Sequence, residues 1–176
     1  MSKIALRFCL TTLCVACSHT SATSNGSPAA SPSATAPALW HKVPSMPVEL
    51  QISDAVSKVS ETTPSHEINT TFITADYEIV VRPVQRDALE LTQSLAEAKE
   101  SETANYQNIA LITNEPAQDG STFLLEFDGT DAGGTKAFVS YGRYSIASER
   151  IDCSGTAATA VDRSKITAAC KSLRSK

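Results

Sequence analysis

The chain has 176 residues, with 15 Lys and Arg against 19 Asp and Glu and a net charge of −4. That length accommodates one domain with its own core and excludes two ordinary ones once non-globular segments are set aside. The acidic balance repels phosphate backbones and disfavours nucleic acid as a partner.

In chain order, MSKIALRFCLTTLCVA (residues 1–16) places Lys3 and Arg7 ahead of an apolar run from Phe8 to Ala16 and ends in small residues, the plan of a secretory signal peptide. A helix of that run rises about 14 Å, roughly half a hydrocarbon core, so it is too short to anchor by spanning and reads as a removable leader. Its loss takes two bases and no acid, leaving 13 basic against 19 acidic side chains. Residues 17–38, which include SHTSATSNGSPAASPSATAPA, hold no aliphatic side chain larger than Ala after Cys17. Such a segment buries too little to offset its ordering entropy and is expected to be a disordered tether spanning roughly 25 Å.

The folded part is expected over residues 39–176. MPVELQIS alternates Val48, Leu50 and Ile52 on one face, a half-buried strand. The polar stretch SKVSETTPSHEIN, with Pro64, reads as a turn or loop. DYEIVVRPV alternates Tyr77, Ile79 and Val81 and stops at Pro83, a second strand. RDALELTQSLAEAKES then sets Ala88, Leu91, Leu95 and Ala98 at helical spacing, a helix of about four turns. Four strand-like runs follow: NIALIT, STFLLEF, KAFVSYGRYSI and ERIDC. Asp119-Gly120 marks one hairpin between them, and DGTDAGG another. Finally AVDRSKITAACKSLR sets Ile166, Cys170 and Leu173 on one helical face, with Lys171 and Arg174 near its C-terminal end. The order predicts an α+β fold, an antiparallel β-sheet meander with helices packed on it.

The end of the leader, CVAC, resembles the lipobox of bacterial lipoproteins, with Val15 and Ala16 before Cys17; Leu13 stands one place earlier than the usual leucine, and Cys14 holds that position. The resemblance implies that Cys17 is diacylated and becomes the mature N-terminus, holding the protein to a membrane without a spanning helix. Ser18, where an aspartate tends to retain lipoproteins in the inner membrane, points to the outer membrane of a bacterial envelope. Cys9 and Cys14 leave with the leader, so Cys153 and Cys170 remain and are expected to pair in an oxidising compartment. A two-cysteine metal site has no histidine nearby, since His19, His41 and His66 are all distant in sequence.

The hairpin meander, the strand ending in RIDCSG and the helix ending in ITAACKSLR resemble the PsbP-like fold, which includes DcrB-type bacterial lipoproteins. The resemblance implies a non-catalytic binder, chaperone or assembly factor with a protein partner. The glycine-tryptophan feature often found after the first strand of such domains is absent here, since the only tryptophan, Trp40, precedes that strand.

Chemistry-bearing motifs are sparse, and neither a cofactor nor a metal is expected. There is no GxSxG, HExxH or Walker loop. DGTDAGG resembles a calcium loop through Asp128, Thr130 and Asp131, but Val139 stands where the closing carboxylate belongs. On the long strand, Val139, Tyr141 and Arg143 share a face, and Tyr141 with Arg143 is the candidate binding face. Three rival functions are a periplasmic immunity or inhibitor protein, marked by an acidic or aromatic patch, an envelope hydrolase in which His66 meets a serine and an acid, and a purely structural subunit of an envelope assembly.

Overall fold

Alternation builds β2 (Val48–Ile52), whose Val48, Leu50 and Ile52 are buried while Glu49 and Gln51 reach the surface. It pairs antiparallel with β1 (Leu39–Lys42) on one side and with the short β10 (Arg174–Ser175) on the other. The larger sheet has seven antiparallel strands in the order β3 (Lys58–Thr62), β4 (Asn69–Ile73), β5 (Glu78–Pro83), β9 (Glu149–Ala157), β8 (Lys136–Ile146), β7 (Phe123–Thr130) and β6 (Gln107–Pro116). The computed structural model describes residues 37–63, 68–84, 94–116 and 122–176. The expected leader, Cys17, most of the tether, His66 with Glu67, and Asp119-Gly120 lie outside the described residues.

Among the described residues, two helices complete the α+β architecture. At the start of α1 (Leu95–Thr103), Ser94 Oγ accepts from Glu97 N and the Glu97 carboxylate accepts from Ser94 N at 2.7 Å, a capping box. Ser94 is extended (φ −74°, ψ 162°), so α1 begins after it and is shorter than the expected four turns; Ala88 and Leu91 lie outside the described residues. Thr159 caps α2 (Ala160–Lys171) by accepting from Asp162 N, and Lys171 stands in the last turn where a cation suits the helix dipole.

The helices take opposite faces of the seven-stranded sheet. On one face, α2 and the inner side of β2 enclose the main core of Leu50, Ile52, Phe72, Ile79, Val81, Ile151 and Ile166. A polar seam adds to it: the Thr167 hydroxyl donates to Glu126 Oε1 at 2.6 Å, and Arg163 pairs with Asp128. On the other face, Leu95 and Ala98 of α1 cover Phe123, Tyr141 and neighbouring Leu125, Phe127 and Val139.

The expected loop after β2 is corrected. The stretch read as a loop after β2 contains β3 and begins β4. β3 is an edge strand exposed along almost its whole length, so it carries no buried alternation to read, and its pairing comes from β4. In β4 the inward pair is Thr70 and Phe72, which masks the period because Thr70 is polar although fully buried. The DGTDAGG segment does form the hairpin turn between β7 and β8: Asp131 Oδ1 accepts from Gly133 N at 2.8 Å and from Thr135 N at 2.9 Å, and Gly134 takes φ +82°.

Cys153 of β9 and Cys170 of α2 are bonded, with Cα atoms 5.6 Å apart and a sequence separation of 17. The bond fastens the final helix to the middle strand of the sheet. Replacing both cysteines by serine is expected to cost about 3 kcal/mol, the chain-entropy value for a loop of this size. Urea unfolding measures it as a lower midpoint at similar slope; an unchanged midpoint would show that packing alone seats α2.

Candidate functional site

The face under α1 carries a row of charge set by cross-strand register. Arg82 of β5 lies opposite Asp152 of β9, Asp152 opposite Arg143 of β8, and Arg143 opposite Phe123 of β7. Arg143 Nε donates to Asp152 Oδ1 at 2.7 Å and its Nη2 to Oδ2 at 3.0 Å, a two-pronged pair. Arg82 Nη2 donates to Asp152 Oδ2 at 2.9 Å, and the Tyr141 hydroxyl donates to the same oxygen at 2.8 Å. The Arg143 and Asp152 side chains are each 1% exposed. The guanidinium carbon of Arg143 lies 5.3 Å from the Phe123 ring centre, so an aromatic face closes the row.

Tyr141 and Arg143 therefore share a face as expected, but that face is interior and not an open recognition surface. Ala98 and Leu95 of α1 cover it, and Asp152 takes up the hydroxyl of Tyr141 and both prongs of Arg143. Burial, then the adjacent Asp152 charge, hold the Tyr141 phenol well above its ordinary range, so it stays a donor. Asp152 itself escaped the sequence reading. Its signal was a charged residue between Ile151 and Cys153 in a strand, which alternation assigns to the opposite face.

Beside this row the same face opens into a cavity of about 400 Å³. Glu78, Val80 and Ser154 line it from the sheet, with Thr156 at the end of β9, and Glu102 of α1 and Tyr106 from the far side. Val139 contributes apolar floor. The lining mixes two carboxylates, a phenol and two hydroxyls over a small apolar base, a composition that suits a cationic or hydrogen-bond-donating group. Burial raises the Glu102 carboxyl above its ordinary value of 4.5, with the Arg82 charge opposing the shift and Asp152 adding to it. None of these cavity residues carried a recognisable spacing in sequence, because they come from β5, β8, β9, α1 and the turn after it.

Among the described residues, no group of three or more His, Cys, Asp or Glu side chains is placed to hold a metal ion. No described helix is long and apolar enough to cross a membrane.

No family model and no curated protein sequence matches the chain. Among solved structures, the Ran-binding protein Mog1p of Saccharomyces cerevisiae superposes with a TM-score of 0.47 at 6% identity, over 77% of this chain and 94% of that one. A Pseudomonas aeruginosa protein of unknown function, PA94, superposes with a TM-score of 0.38 at 16% identity, over 77% of this chain and 92% of that one.

Two outcomes test the site. Asp152→Ala removes the carboxylate that Arg82, Arg143 and Tyr141 all face, and is expected to destabilise by about 3–5 kcal/mol, as loss of one partner of a buried pair does; a change below 1 kcal/mol in chemical unfolding would place the row in water. For Glu102, a raised folded pKa means that the folded state holds the proton more tightly than the unfolded chain. Stability from this group is present below 4.5 and is lost as pH rises through the folded value. Glu102→Gln should therefore match the wild type near pH 4 and exceed it at pH 7, read from paired thermal melts; equal gains at both pH values would refute the burial.

Proposed function

We propose that the chain is a lipid-anchored protein of the bacterial envelope that acts by binding a protein partner, with residues 1–16 removed, Cys17 acylated, residues 17–38 as tether and residues 39–176 as the binding domain. The cavity under α1 carries the binding part of this reading. It is roofed in part by a helix, its floor is continuous with a hydrogen-bonded charge row that resists rearrangement, and its rim presents Glu78, Glu102 and Tyr106. A Lys or Arg side chain on a partner would find two carboxylates there, and its charge would favour ionised Glu102.

The compartment rests on the lipobox-like end of the leader, with outer-membrane placement following from Ser18. The buried Cys153–Cys170 bond supports it, because such bonds persist in oxidising compartments and are rare in reducing ones. The PsbP-like resemblance supports a non-catalytic role. The acidic and aromatic rim also favours a second reading, a periplasmic inhibitor or immunity protein that blocks a basic surface of a toxin or hydrolase.

Crosslinking in native membranes followed by purification through the anchored protein tests both. One partner captured by wild type and lost in a Glu78→Gln, Glu102→Gln double variant that is at least as stable as the wild type is the expected result, and its identity separates assembly factor from inhibitor. Recovery of no partner would overturn the binding reading. For the anchor, palmitate should label the wild type and not Cys17→Ala; equal labelling would remove the lipoprotein assignment.

A further inference from the structure

The small sheet has an outward face that none of the sites above uses. Register places Trp40 opposite Gln51, Lys42 opposite Glu49, and Glu49 opposite Arg174, all on the side away from the buried Val48, Leu50 and Ile52. Arg174 stacks on Trp40 with its guanidinium carbon 3.4 Å from the ring centre and donates to Glu49 Oε1 at 2.7 Å. Lys176, just beyond β10, bonds the carbonyls of Val43 and Met46 through its ammonium. Three cations, Lys42, Arg174 and Lys176, thus stand against one anion, Glu49, in a chain whose part beyond the leader is acidic overall. Trp40 is 40% exposed. A half-exposed indole among cations is the composition found where protein meets lipid headgroups.

The position matters as much as the composition. The segment from Cys17 enters the domain at β1, so this sheet is the part of the domain joined most directly to the anchor. We infer that the outward face of β1, β2 and β10 docks on an anionic phospholipid surface, with Trp40 at headgroup level and Lys42, Arg174 and Lys176 against lipid phosphates. The inference rests on the anchored reading for its geometry, and it turns the cavity under α1, on the other side of the large sheet, away from the bilayer. Two net positive charges near an anionic membrane correspond to roughly a thirtyfold preference over a neutral one, lost at high salt.

Trp40 is the only tryptophan, so its emission reads this face directly. Two forms are compared on phosphatidylcholine vesicles with and without phosphatidylglycerol: the acylated chain reconstituted from native membranes, and a soluble chain starting at residue 18, which keeps every contact described above. The expected result is a blue shift and quenching by brominated lipids on the anionic vesicles, with soluble-chain binding about thirtyfold weaker in Lys42→Glu, which cancels both net charges. Unchanged Trp40 emission in both forms overturns the inference, as does the same shift on concentrating the protein without vesicles, which would assign the face to a second copy. A shift in the soluble chain while the native protein lacks acyl groups would keep the docking face and remove the anchor. Acylation with an unquenched Trp40 would do the reverse.

Discussion

Strand β9 runs through the centre of the large sheet, and two adjacent side chains on it hold both layers. Cys153 points to the α2 side and is bonded to Cys170; Asp152 points to the α1 side and accepts from Arg82, Arg143 and Tyr141. Pleating sends neighbouring residues to opposite faces, so one dipeptide secures a covalent tie on one face and an ionic one on the other. Two residues on, Gly155 completes the arrangement: a Cβ there would stand 2.3 Å from the Glu78 carbonyl oxygen and 3.0 Å from Ile166 of α2. The helix can lie this close to β9 only because no side chain intervenes.

Magnitudes separate the ionic contacts of the fold. The Arg174–Glu49 pair is at the surface on its arginine side and contributes at most about 1 kcal/mol. The row centred on Asp152 is buried, where desolvation cancels most of the attraction, so its net contribution against apolar replacements is near zero while its disruption is costly. Its consequence is geometric. Two guanidiniums and a phenol converge on one carboxylate only when β5, β9 and β8 are in this register, which makes the floor beside the cavity a fixed surface.

That fixed floor gives the cavity under α1 its character. The charged groups closest to the sheet centre are committed to one another, whereas Glu78, Glu102 and Tyr106 line the opening. The small sheet meanwhile carries Trp40 and an excess of cations on a face separated from that cavity by the main core. Acidic character and basic character thus fall on different sides of the same domain, although the chain's overall charge shows only the acidic excess.

Wherever burial follows a period, the elements were legible in sequence. β2 and β5 show alternation, the β6–β9 meander shows long strand-like runs broken by turn residues, and α2 places Ile166 and Cys170 at helical spacing, although it ends at Lys171, before Leu173. The Cys153–Cys170 pairing was also accessible, because once the leader and Cys17 are set aside two cysteines remain. β1, β3 and β10 were not legible, since they are short and exposed and their pairing is supplied by distant strands. Alternation could say that Tyr141 and Arg143 share a face; it could not say that α1 covers that face or that Asp152 lies opposite. Periodicity along a chain determines which side chains point together, while what lies over them depends on register between segments far apart in sequence, which only the assembled sheet decides.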